Sequence, residues 1–167
     1  MRAIGIDPSS TFIGDATIDW PSGHIVKVEH WARDKNRSHP QGFKDYYSWQ
    51  MLRLLKYKPQ IAVIEMGAYQ VSQGPGGGKG NFQAIQAVSF YQSIATLCCK
   101  LQDLIVIEAR ASSARKITLG NGGLSKDKVW DMMRGRYPSL FSPKTRGGLD
   151  ECDALVLAMA HERLSER

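Results

Sequence analysis

The run Ile61-Ala62-Val63-Ile64-Glu65 most constrains the fold: it is apolar without alternation up to its last residue, which is a carboxylate. Alternation is lost in this way when a strand is covered on both faces, as happens in sheets flanked by helices. Arg2-Ala3-Ile4-Gly5-Ile6-Asp7 has a similar form, an apolar stretch closed by an acid. An ionised carboxylate beside a core is costly unless a cation or a donor matches it, so two such strand ends call for a counter-charge.

The intervening segments set the topology. After the turn Asp7-Pro8-Ser9-Ser10, residues 12–18 and 24–31 read as two further strands separated by Asp19-Trp20-Pro21-Ser22-Gly23. The apolar period then changes. A helix is expected over 43–57, stopped before Pro59, then a strand over 60–65 and a glycine-rich loop over 70–81. A long helix over 82–101, a strand over 104–108, helices near 111–119 and 125–136, and a last helix over 150–164 complete the chain. With no internal repeat or linker, 167 residues make one domain of the α/β class. Its sheet is five-stranded and mixed, three antiparallel strands beside two parallel ones, flanked by helices. The first strand lies centrally next to the one ending in Glu65, so Asp7 and Glu65 stand at neighbouring carboxyl ends, where such sheets place active sites.

Asp150 and Asp153 add a second acidic pair, three residues apart at the expected start of the last helix and therefore on one face. A capping box would explain that pair alone, a turn would explain Asp7, and a backbone amide would explain Glu65. One metal centre explains all four. A site of carboxylates without Cys or His suits Mg²⁺, with Mn²⁺ as a substitute. Two such ions about 4 Å apart serve in-line hydrolysis of a phosphodiester. Lys126, in Gly122-Gly123-Leu124-Ser125-Lys126 near a helix start, is the candidate for stabilising charge on phosphorus, unless it is an ordinary solvated lysine.

Charge points to the partner. The chain carries a net +6, and residues 110–146 hold nine Lys and Arg against Asp127 and Asp131, a surplus of seven. A solvated surface is the plain reading of that stretch; a DNA-backbone footprint, including Arg110, Arg115, Lys116 and Lys128, is the functional one, and it predicts binding that weakens steeply with salt. Lys79, in the loop Gly74–Gly80, could touch DNA as well. That loop is not a nucleotide-binding motif, because Gln73 stands at the first glycine position and Gly80 replaces the required Ser or Thr, so no nucleotide cofactor is expected. Cys98, Cys99 and Cys152 read as buried free thiols in a reducing compartment. No apolar run approaches the roughly 20 residues of a membrane span, and the first residues do not resemble a signal peptide, so a cytoplasmic protein without membrane partners is expected. His161 and the four tryptophans read as structural.

Gly5-Ile6-Asp7-Pro8-Ser9, Val63-Ile64-Glu65, Gly120-Asn121-Gly122-Gly123-Leu124-Ser125-Lys126 and Asp150-x-x-Asp153-Ala154-Leu155 together resemble the RuvC family of Holliday-junction resolvases in order and spacing over nearly the whole chain. The resemblance implies a ribonuclease-H-like fold and a homodimeric DNA endonuclease of recombination and repair that nicks opposing strands of a four-way junction. It implies that Asp7, Glu65, Asp150 and Asp153 take the metal-binding positions. It puts Lys116 and Lys126 near the scissile phosphate, Tyr69 against junction bases, and the long helix after Glu65 at the dimer interface. The Gly74–Gly80 loop departs from the family pattern. Rival readings are a general ribonuclease-H-like or flap nuclease, a catalytically inactive junction-binding protein, and an actin-like ATPase, which needs more residues than this chain has.

Overall fold

The computed structural model describes residues 1–66, 79–141 and 144–166, with 79–83 as backbone. Its elements are β1 (Arg2–Pro8), β2 (Phe12–Asp19), β3 (His24–Ala32), α1 (His39–Tyr57), β4 (Ile61–Glu65), α2 (Lys79–Leu101), β5 (Ile105–Ala109), α3 (Ala111–Leu119), α4 (Lys126–Arg136) and α5 (Arg146–Ser165). The strands form one sheet in the order β3-β2-β1-β4-β5. β1 runs antiparallel to β2 and parallel to β4, while β3 pairs antiparallel with β2 and β5 parallel with β4. This is the expected mixed sheet, with β1 at its centre.

The period of two along a strand sorts the side chains between two cores. Ala3, Ala16, Ile18, Ile61 and Val63 face a core built with α3, α4 and α5. Ile4, Ile6, Ile13, Ala62 and Ile64 face the other, built with α1 and α2. By that alternation Asp7 follows Ala3 and Gly5, and Glu65 follows Ile61 and Val63, onto the α5 side. Ile6 pairs with Ile64 in the parallel register, so the next residues of the two strands, Asp7 and Glu65, are neighbours at one end of the sheet.

The α1 side carries a buried ion pair: Arg53 Nε donates to Asp15 Oδ2 at 2.6 Å, and the same guanidinium also pairs with Glu29 and covers the Trp49 and Tyr57 rings. Trp31 is buried there in a cluster with Tyr46 and Tyr91. His161 is buried as well, its Nδ1 at 2.8 Å from the Ala158 carbonyl and its ring edge-on to Trp20. The three cysteines are free and buried. Among the described residues no helix is long and apolar enough to cross a membrane.

Two helix starts differ from expectation. α1 begins at His39 because Gln41 Oε1 accepts from the Ser38 backbone N–H at 3.2 Å and Pro40 suits the first turn. α5 begins four residues before Asp150. Thr145 is its cap, with Oγ1 accepting from Gly148 N at 3.3 Å, and no acid lies in its first turn. Gly147 and Gly148 look like loop residues in the sequence, yet both are buried inside the helix. A Cβ on Gly147 would stand 2.7 Å from the His30 ring, so glycine is what lets this turn settle against β3. Capping therefore does not explain Asp150 and Asp153.

Candidate active site

α5 brings the second acidic pair to the first because it lies unusually close to the sheet. An ideal Cβ on Gly5 would fall 2.0 Å from the Ala154 carbonyl oxygen, and one on Gly14 would fall 2.0 Å from that of Asp150. Gly14 is the register partner of Asp7. Two glycines on adjacent strands thus let the helix backbone rest on the sheet beside Asp7. Asp7, Asp150 and Asp153 are all nearly inaccessible to solvent.

Lys126 stands among them. Its Nζ donates to Asp7 Oδ2 at 2.6 Å and to Asp150 Oδ1 at 2.6 Å, and lies 3.4 Å from Asp153 Oδ2. It is the first residue of α4, directly after the cap Ser125. The segment leading to it is shaped by several local contacts. Gly120 ends α3 in the left-handed region at φ 81°. Gly122 presses so close to α3 that a Cβ would meet the Ser112 carbonyl at 2.5 Å. Asn121 Oδ1 accepts from Gly123 N at 2.9 Å.

Arg115, expected on the DNA backbone, is turned inward instead. Its Nε and Nη2 donate to Asp153 Oδ1 and Oδ2 at 2.9 and 2.7 Å, and its Nη1 donates to the Leu124 carbonyl at 2.8 Å. Such a two-pronged pair fixes the plane of the carboxylate as well as its distance. Ser9 Oγ reaches Asp150 Oδ2 at 3.3 Å and also contacts the Phe12 carbonyl.

The electrostatics record crowded negative charge. Burial pushes the Glu65 carboxyl up to about 10, helped by the charge of Asp7 and a hydrogen bond to it. Burial and Asp7 raise Asp150 to about 7 against the opposing pull of Lys126. Asp153 is raised by burial, an effect that Arg115 partly offsets. For Lys126, burial would lower the value, but Asp7, Asp150 and Asp153 outweigh it and hold the ammonium charged.

This donor set fits a hard divalent cation. The nearest donors are carboxylate oxygens, the Oε2 of Glu65 is buried without a hydrogen-bond partner among the described residues, and an ammonium already takes a cation's place among three of the acids. As the side chains stand, no three His, Cys, Asp or Glu residues form a ready chelate among the described residues, and Lys126 is what lies between them.

Of the expected DNA-facing residues, Arg110, Lys116 and Lys128 are exposed, on the cap of α3, on α3 and on α4. Elsewhere in that basic stretch Lys144 pairs with Asp127 at 3.2 Å and Asp131 at 3.1 Å. Tyr69 lies outside the described residues, as does most of the Gly74–Gly80 loop; Lys79 is described as backbone, at the first residue of α2. Sequence reasoning gave Ser9, Gly5 and Gly14 no role in the site and missed the inward role of Arg115. A glycine inside a strand is itself a sign of close backbone approach, so Gly14 was findable.

No family model matches the chain. Crossover junction endodeoxyribonuclease RuvC of Myxococcus xanthus is 25% identical over 163 residues, spanning 96% of this chain and 80% of that protein. Thermus thermophilus RuvC in complex with a Holliday junction substrate has a similar structure, with TM-score 0.76 and 14% identity over 99% of this chain and 95% of that one. The yeast mitochondrial Holliday junction resolvase Ydc2 gives TM-score 0.61 and 12% identity over 98% and 78% of the respective chains. At these identities the structural likeness is one of fold.

Proposed function

The chain belongs to the RuvC family of Holliday-junction resolvases, and on that premise we propose that it is a metal-dependent endodeoxyribonuclease that cuts four-way DNA junctions. The observation that carries the site assignment is the meeting of Asp7, Asp150 and Asp153 on one cation, with Glu65 beside Asp7. Mg²⁺ or Mn²⁺, two ions per site, held by those four carboxylates would supply an activated water and charge neutralisation at the scissile phosphate. Arg115 holds the plane of Asp153 and ties down Leu124, which keeps the segment before Lys126 in place. Lys126 offers its ammonium to the negative charge that builds on the phosphoryl oxygens during displacement. Arg110, Lys116 and Lys128 bind the backbone on either side, with Tyr69 and Lys79 as further DNA contacts.

Symmetric cutting of opposing strands needs two sites related by a two-fold axis, which a homodimer supplies. Support comes from α2, where Phe90, Leu97 and Leu101 are about half exposed, at 53%, 51% and 54%. The sequence reading of a cytoplasmic protein fits this role.

The test is cleavage of a synthetic four-way junction in Mg²⁺ beside three-way, flap and linear substrates, with and without chelator. Paired nicks in the four-way junction alone are expected, lost on chelation and lost in Asp7→Asn while junction binding persists. Equal cutting of every shape would demote the protein to a general ribonuclease-H-like nuclease. Binding without any cutting would make it an inactive junction-binding protein.

A further inference from the structure

Lys126 occupies an awkward place for a lysine. It is the first residue of α4, where the helix dipole disfavours a cation, and the first-turn acid that suits this end, Asp127, comes one residue later. The residue nonetheless extends its ammonium into the acid cluster, where Nζ takes one oxygen from each of three carboxylates. Those acids are among the proposed ligands of the metal, and two cations drawn to the same few oxygens repel one another. The Lys126 side chain is still 36% accessible, in contrast to the 1–3% of the three aspartates, so it has a path outward that they lack.

We propose that Lys126 is a resident counter-ion: it holds the metal-free acid cluster together, a divalent cation expels it, and the expelled ammonium becomes available to the scissile phosphate. One residue then serves two successive purposes, and the site arms its phosphate-stabilising cation only after metal has entered. The inference rests on the proposed assignment of the four carboxylates to metal. It also accounts for the lack of a ready chelate among the described residues, since Asp7, Asp150 and Asp153 are spaced around an ammonium in place of an ion.

Calorimetric titration of Mg²⁺ into the full-length protein and into Lys126→Met, without DNA, tests the competition. A binding-competent state kept scarce by the lysine weakens apparent affinity by its fractional population, so Lys126→Met is expected to bind Mg²⁺ at least about tenfold more tightly. Equal or weaker binding by the variant overturns the inference and leaves the metal assignment standing. No binding by either protein overturns the metal assignment and the inference with it. Should Lys126→Met fail to fold, isotope-coded acetylation of the wild-type lysines, read by mass spectrometry with and without saturating Mg²⁺, decides alone. Lys126 is expected to react faster with Mg²⁺ present while exposed Lys27 does not change. An unchanged rate at Lys126 overturns the inference.

Discussion

Gly14→Ala tests whether the close seat of α5 on the sheet assembles the site. The added Cβ would lie 2.0 Å from the Asp150 carbonyl oxygen, 2.3 Å from its carbon and 2.8 Å from Glu151 N. All three neighbours are backbone, so no rotamer change relieves the clash. Ordinary contact begins near 3.4 Å, and the difference of 1.4 Å is the separation that helix and strand must gain. That movement carries Asp150 and Asp153 away from Asp7 and Glu65, which stay with β1 and β4. A misplacement of about 1 Å at reacting groups costs on the order of 100-fold in rate. Overpacking costs a further ~1–3 kcal/mol of stability. The expected result is a roughly 100-fold fall in kcat for junction cleavage, with a folded protein and a lowered denaturation midpoint. Gly135→Ala is the control: among the described residues nothing lies within 4 Å of its Cβ, and it sits within α4. Replacing a helical glycine there should stabilise by ~0.5–1 kcal/mol and leave the rate alone. Wild-type turnover in Gly14→Ala would refute the argument, because catalysis would then tolerate a displaced acidic helix.

Arg115→Ala leaves Asp153 buried without its guanidinium partner, so urea unfolding should report a loss of about 3–5 kcal/mol, and a loss below about 1 kcal/mol would contradict the geometry. For pH, Asp150 sits near 7 in the folded metal-free protein, above an ordinary carboxyl. Its proton favours the native state at low pH, and that contribution is lost as pH rises through about 7. Mg²⁺ requires the ionised form, so Mg²⁺ affinity should climb over this window with proton release, measurable by calorimetry in buffers of different ionisation heat; a flat profile argues against Asp150 as a ligand. Junction binding measured in chelator should weaken steeply with salt, and alanine at Lys116 or Lys128 should each lower the logarithmic salt slope by about one; an unchanged slope removes that residue from the footprint.

Much of the fold was legible because its signals are local. The unbroken apolar run of β4 announced a strand covered on both faces, and short strand-like runs joined by tight turns announced the antiparallel meander of β1, β2 and β3. Pro59 marked the end of α1. The starts of α1 and α5 were less legible because both open on residues that look like loop, Ser38-His39-Pro40 in one and Gly147-Gly148 in the other. In α5 a Cβ on Gly147 would meet the His30 ring at 2.7 Å, a contact between distant residues that nothing local announces.

The sequence by itself determined which residue types the site could draw on: four acids at strand ends and on one helix face, a lysine after a glycine-rich turn, and a basic stretch beside them. Tertiary structure alone decided how they meet. Lys126 reaches Asp150 across 24 residues and Asp7 across 119, and Arg115 reaches Asp153 across 38. Separations of that size leave no periodicity in a sequence. Packing sets them, here through two glycines that let a helix backbone rest directly on a sheet and bring Asp150 and Asp153 to Asp7.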